Sequence, residues 1–217
     1  MSVLVLYTDY DYCIYESFLE TFKDILPEAI KEQAYKIRRW EDRQAFLLGK
    51  LLVWKGLREY RYTNDCLHKL WKNQFGKPYI DSNVFFNLSH SGRYVICAFH
   101  TEEIGIDIEN ICNIDIDDFI SFFSAQEITC LKSSTTPLKD FFRLMTLKES
   151  VVKAAGKGIS IPLHLVNALH KGTMQYGEEK WFVKEISGFE NCYCSLAGYK
   201  ELPDLILEKV DFEQLKP

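Results

Sequence analysis

Hydrophobic residues dominate the first stretch, Ser2 to Thr8, where Val, Leu and Tyr predict an opening β-strand. Pro27 suits the first turn of a helix with Glu28 near its positive end, and the pattern carries that helix through Trp40. From Glu41 to Tyr60 apolar residues recur at Leu47, Leu51, Trp54 and Leu57, the spacing of an amphipathic helix. The period then changes. Gln74-Phe75-Gly76-Lys77-Pro78 is turn chemistry, and Val84 to Leu88 reads as a strand ending in a Ser89-His90-Ser91-Gly92 turn. Tyr94 to Phe99 and Ile104 to Glu109 follow as strands separated by the Glu102-Glu103 turn, so a small antiparallel sheet is expected beside the helices.

The second half repeats the plan. Ser124 and Glu127 have capping-box spacing for a short helix, and Thr136-Pro137 opens a longer one expected to stop at Gly156. Strands are predicted at Trp181 to Ile186, Tyr193 to Tyr199 and Leu205 to Val210. The fold class is therefore α+β, built as two similar α+β halves, residues 1–103 and 104–217. No Ser/Gly-rich or Pro-rich linker parts them, so they should share an interface, and a ligand cleft is expected there.

Composition narrows the function. Of 217 residues, 47% are hydrophobic and 14% aromatic, which supplies a core and excludes disorder as a description of the whole. Lys and Arg number 26 against 31 Asp and Glu, a net charge of −5 that disfavours general nucleic-acid binding. No apolar run approaches the roughly 20 residues that span a bilayer, and Met1 to Tyr10 does not read as a signal peptide. Seven scattered cysteines fit reduced thiols in a cytoplasmic protein, and Cys192-x-Cys194 has no second pair to complete a metal site.

Chemistry concentrates in three segments. On a strand, Asp107 and Glu109 of Ile104-Gly105-Ile106-Asp107-Ile108-Glu109 share one face while Ile106 and Ile108 point to the core. Two carboxylates about 7 Å apart repel by roughly 2 kcal/mol at an effective dielectric near 20, so a positive group should sit between them. A solvated edge strand is the plainer alternative. On the helix ending at Gly156, Glu149 and Lys153 project together, and Lys148 falls inside the apolar arc of Leu144, Val151 and Ala155. A lysine placed there needs an anion or must snorkel out. The alternative is a surface Glu149–Lys153 ion pair. Three carboxylates suit a hard cation such as Mg²⁺, and nearby lysines suit phosphates, so the set points to phosphoryl chemistry.

In Phe86-Asn87-Leu88-Ser89-His90-Ser91-Gly92, Ser89 and His90 are adjacent, point apart on an extended chain, and cannot form a nucleophile–base pair. Phosphate binding at a glycine turn fits better, with an ordinary capped turn as the alternative. Gly156-Lys157-Gly158 lacks the rest of a P-loop, and no His-Glu-x-x-His or Cys-x-x-Cys is present.

Taken in order, Gly76-Lys77-Pro78, Phe86-Asn87-Leu88-Ser89-His90-Ser91, Ile104-Gly105-Ile106-Asp107-Ile108-Glu109 and Lys148-Glu149-Ser150-x-x-Lys153 resemble the 4′-phosphopantetheinyl transferases of the Sfp type. The resemblance implies two halves related by a pseudo-twofold axis, with coenzyme A in the cleft between them. It implies Mg²⁺-dependent transfer (Mn²⁺ serving as well) of the phosphopantetheine arm to a serine of an apo carrier protein. Adenosine 3′,5′-bisphosphate leaves. By motif position Asp107, Glu109 and Glu149 hold the metal. Lys77, Ser89 and His90 contact the nucleotide end and its 3′-phosphate, and Lys148 and Lys153 the diphosphate. Glu149 is the candidate base for the carrier serine, directly or through a water, and Lys153 the catalytic cation.

Two departures stand out. Met145 occupies a position where the family often has Trp, and Ala45 and Phe46 stand where relatives place an arginine, which leaves Arg43 to reach the 3′-phosphate from a neighbouring turn. The expected partner is an acyl or peptidyl carrier, docking through apolar contact and local basic residues. Phe119, Phe122 and Phe123 are one candidate surface, with core packing as their other use. A monomer is the expectation for two fused halves.

Overall fold

The computed structural model describes residues 2–10, 20–168 and 172–212. In chain order it contains β1 (Val3–Asp9), α1 (Glu28–Lys36), α2 (Trp40–Glu59), β2 (Trp71–Lys72), β3 (Pro78–Tyr79), β4 (Phe85–Ser91), β5 (Tyr94–His100) and β6 (Ile104–Asn110). Then come α3 (Ala125–Ser133), α4 (Pro137–Ala155), β7 (Val166–Ala168), β8 (Thr173–Tyr176), β9 (Glu179–Glu185), β10 (Cys192–Gly198) and β11 (Leu205–Lys209). Short 3₁₀ turns fill some of the connections.

The strands make a four-stranded sheet ordered β11-β1-β5-β4, a five-stranded sheet ordered β6-β10-β9-β8-β7, and a β2-β3 hairpin. The first sheet turns Leu6, Val95, Cys97 and Phe99 toward α1 and α2, where Leu47, Leu51, Trp54 and Leu57 are buried. Its other face, with Val3, Val5, Ile96 and Ala98, packs on Ile104, Ile106, Ile108 and Leu196 of the second sheet. Strand alternation thus makes the first sheet apolar on both faces, and α4 covers the far side of the second sheet with Val151, Val152 and Ala154. The α+β architecture is layered helices, sheet, sheet, helix.

Several sequence expectations need correction. The helix after Pro27 ends at Lys36 instead of Trp40, and Ile37 is already extended at φ −79° and ψ 118°. Its buried stripe is Ile30 and Ala34, and the next position four residues on is Arg38, which a continuing helix would drive into the core. β4 does not stop at Leu88. It runs through Ser89-His90-Ser91, and only Gly92, at φ 55°, and Arg93 form the turn. β6 leaves the first sheet and pairs with β10 in the second, whereas β11 returns from the C-terminal side to lie parallel to β1. The strands β7 and β8 and the β2-β3 hairpin were too short and polar to register as period-two patterns. Of the three phenylalanines weighed for docking, Phe123 is core and Phe119 packs beside it, while Phe122 is exposed.

Candidate functional site

β6 supplies the first two acidic groups. Ile106 and Ile108 are fully buried between the sheets, so alternation turns Asp107 and Glu109 to the opposite face, under α4 and beside β4. Asp107 is 2% exposed. The positive group demanded by this face is Lys153, whose Nζ stands 2.6 Å from Asp107 Oδ1 and donates to Ser89 Oγ at 2.9 Å. Ser89 in turn donates to Asp107 Oδ1 at 2.9 Å, and Ser91 donates to Glu109 Oε2 at 3.0 Å.

Backbone contact brings α4 this close. A Cβ on Gly105 would lie 2.1 Å from the Ser150 carbonyl oxygen and 2.3 Å from the Ala154 nitrogen, so only glycine lets helix and strand touch here. Gly156, in the left-handed conformation at φ 67°, ends the helix as expected. Glu149, half-buried on α4, stands near enough for its carboxyl to feel the charges of Asp107 and Lys153. Burial first, then the Asp107 charge, raises the pKa of both Glu109 and Glu149, while Lys153 opposes the rise in each.

No three acidic, histidine or cysteine side chains among the described residues stand together as a metal-binding cluster. The donor chemistry nevertheless fits a hard divalent cation. All three candidate ligands offer oxygen, and Asp107 Oδ2 is buried without a hydrogen-bond partner, the costly vacancy that a cation would fill.

Other candidate residues are placed elsewhere. Lys148 is fully buried, but its anion is Glu127, 2.7 Å away, and its remaining donors go to the carbonyls of Val166 at 2.7 Å and Leu163 at 3.0 Å. The same Glu127 oxygen accepts the Ser124 N–H in the capping box that starts α3. Lys148 therefore does not join the acidic group, and desolvation lowers its pKa. Lys77 is also turned inward, pairing with Glu103 at 2.5 Å and donating to the carbonyls of Ala154 and Ile104. Its pKa too is lowered, chiefly by desolvation. The Arg43 guanidinium donates to the Ile37 carbonyl at 3.0 Å and 2.7 Å.

His90 lies between the two serines on β4 and so points to the other face, the side where Asp42 of α2 stands. Although its side chain is exposed, desolvation and then the Lys153 ammonium lower its pKa, with Asp42 and Asp107 pulling the other way. Reading the sequence finds Glu127 as the capping-box residue but misses it as the partner of Lys148, and it misses Glu103 and the role of Ser91. The signal for Ser91 was the alternation Asn87-x-Ser89-x-Ser91, hidden by treating the serines as a turn.

A family model described as 4′-phosphopantetheinyl transferase superfamily matches residues 103–194, and one described as 4′-phosphopantetheinyl transferase, N-terminal, matches residues 15–102. The chain is 33% identical over 194 residues to the 4′-phosphopantetheinyl transferase gsp of Aneurinibacillus migulanus, covering 85% of this chain and 82% of the relative. It is 36% identical over 149 residues to the 4′-phosphopantetheinyl transferase Sfp of Bacillus subtilis (strain 168), covering 66% of each. It is also 28% identical to the L-aminoadipate-semialdehyde dehydrogenase-phosphopantetheinyl transferase of Saccharomyces cerevisiae, over 70% of this chain and 61% of that one.

Proposed function

The chain belongs to the 4′-phosphopantetheinyl transferases, enzymes that move the phosphopantetheine arm of coenzyme A onto carrier proteins, and we propose that it does so with a divalent cation, Mg²⁺ or Mn²⁺, held by Asp107, Glu109 and Glu149. The observation that carries this reading is the buried, unpartnered Asp107 Oδ2 on a face shared with Glu109, with Glu149 and Lys153 brought over it by the Gly105 contact. When bound, such a cation supplies positive charge against the diphosphate as its bond breaks.

The residues of the chain divide the remaining work. Glu149 takes the proton of the carrier serine as its oxygen attacks the phosphorus that bears the pantetheine arm. The bond from that phosphorus to the oxygen of the nucleotide phosphate breaks, and the electron pair leaves with adenosine 3′,5′-bisphosphate. Lys153, already oriented by Ser89 and Asp107, stabilises the charge gathering on the departing phosphate. His90 stands on the neighbouring face of β4, where we place the 3′-phosphate. Lys77, Lys148 and Arg43 spend donors on groups of the frame, which supports a structural role for them. One chain carries every named group, which supports action as a monomer. None of the described helices is long and apolar enough to cross a membrane.

The test is incubation with coenzyme A, Mg²⁺ and an apo carrier protein, read by mass spectrometry. The expected result is a carrier heavier by one phosphopantetheine on its serine. An unmodified carrier with phosphate released would mean hydrolysis of the nucleotide instead, and would overturn the reading.

A further inference from the structure

The two sheets meet along an edge that backbone pairing alone does not close. β6 pairs with β10 on one side, and its other edge faces β4, with which it forms no ladder. Three alternate side chains of β4 take the place of the missing strand. Asn87 Oδ1 accepts the Ile106 N–H at 2.9 Å, Ser89 Oγ the Ile108 N–H at 3.4 Å, and Ser91 Oγ the Asn110 N–H at 2.9 Å. The match holds because residues 87, 89 and 91 share one face of β4 and the N–H groups of residues 106, 108 and 110 share one edge of β6.

A serine hydroxyl has one hydrogen to donate and two lone pairs to accept with. Ser91 accepts from the Asn110 backbone and spends its hydrogen on Glu109 Oε2 at 3.0 Å, and Ser89 does the same for Ile108 and Asp107 Oδ1. Each hydroxyl therefore reads the position of the β6 backbone and fixes one carboxylate oxygen relative to it. We propose that Ser91 is a positioning residue for Glu109, and that the row Asn87, Ser89, Ser91 makes the orientation of both β6 carboxylates a property of the joint between the halves. This inference rests on the reading that Glu109 is a cation ligand. A half-buried glutamate has three side-chain torsions to settle, and a donor on Oε2 restricts them.

The experiment measures Mn²⁺ affinity by the loss of the free-ion electron paramagnetic resonance signal, with coenzyme A present and carrier absent, against protein-free blanks. Wild type, Ser91→Ala, Ser91→Thr and Glu109→Gln are compared. Loss of a group that orients a metal ligand typically weakens metal affinity by about 10- to 100-fold. Ser91→Ala should fall in that range, and Ser91→Thr, which keeps the hydroxyl, should stay close to wild type. Turnover at saturating Mn²⁺ should be restored in Ser91→Ala, which separates positioning from general damage. If Ser91→Ala does not fold, Ser91→Cys replaces it, since a thiol is a weak donor of similar size.

If Glu109→Gln weakens Mn²⁺ binding and Ser91→Ala does not, the inference is wrong while the cation reading stands. If Glu109→Gln leaves affinity unchanged, the cation reading itself fails and takes the inference with it.

Discussion

Lys148 and Lys153 lie five positions apart on the same helix, and their roles separate because different acids meet them. Lys153 reaches Asp107 on the α4-facing side of β6, and Lys148 is closed in by Glu127 and two carbonyls. Breaking a buried pair by removing one partner leaves an uncompensated charge and costs about 3–5 kcal/mol. Lys148→Met should therefore destabilise the protein strongly in urea denaturation. Combining it with Glu127→Gln should recover part of that loss, a non-additive cycle. Coenzyme A affinity of the folded fraction, measured calorimetrically, should change little. Weakened coenzyme binding with unchanged stability would instead return Lys148 to the diphosphate. His90 makes the opposite prediction, because its side chain is exposed and its loss leaves no buried vacancy. His90→Ala should lower the ratio of affinities for coenzyme A over its 3′-dephospho form, with the melting temperature nearly unchanged. An unaltered ratio would remove it from the 3′-phosphate.

At the scale of elements, the contact between α4 and β6 decides whether the site exists, and Gly105 permits it. Gly105→Ala would set a Cβ against backbone atoms of residues 150 and 154, which cannot rotate away as a side chain could. Overpacking of this kind costs about 1–3 kcal/mol. The variant should melt at lower temperature and also lose turnover while still folded, because lifting α4 carries Glu149 and Lys153 away from Asp107. Stability loss with turnover per folded molecule intact would mean that the contact serves packing alone. The sequence made these two elements readable. Alternation put Asp107 and Glu109 on one face, and helical spacing placed Lys148 inside the apolar arc. What it could not supply was the identity of partners from distant segments. Glu127 for Lys148 and Glu103 for Lys77 lie 21 and 26 residues away from the lysines they meet, beyond any local period. The extension of β4 through Ser89-His90-Ser91 was missed for the same reason, since polar residues next to a glycine resemble a turn until β6 is there to bond them.

Across the whole molecule the two family models abut at residues 102 and 103, and the packing runs across that point. β11 comes from the C-terminal side and completes the first sheet beside β1, and the two sheets share one buried layer, with Val5 and Ile96 against Ile106 and Leu196. The Asn87, Ser89 and Ser91 row adds polar attachment along the same joint. Neither half can bury its inner face alone, so the chain should unfold as one cooperative unit. Tryptophan positions allow a direct check. Trp54 lies in the core beneath the first sheet and Trp181 in the core beneath the second. In urea, the fluorescence transition of a Trp181→Phe variant, which reports the first half, should coincide with its far-ultraviolet circular dichroism transition. A variant with Trp40, Trp54 and Trp71 all changed to Phe, which keeps only Trp181, should likewise show a single midpoint by both probes. Separated midpoints would mean that the sheets part before either melts, and that the acidic face of β6 can lose its β4 partners while the second half stays folded.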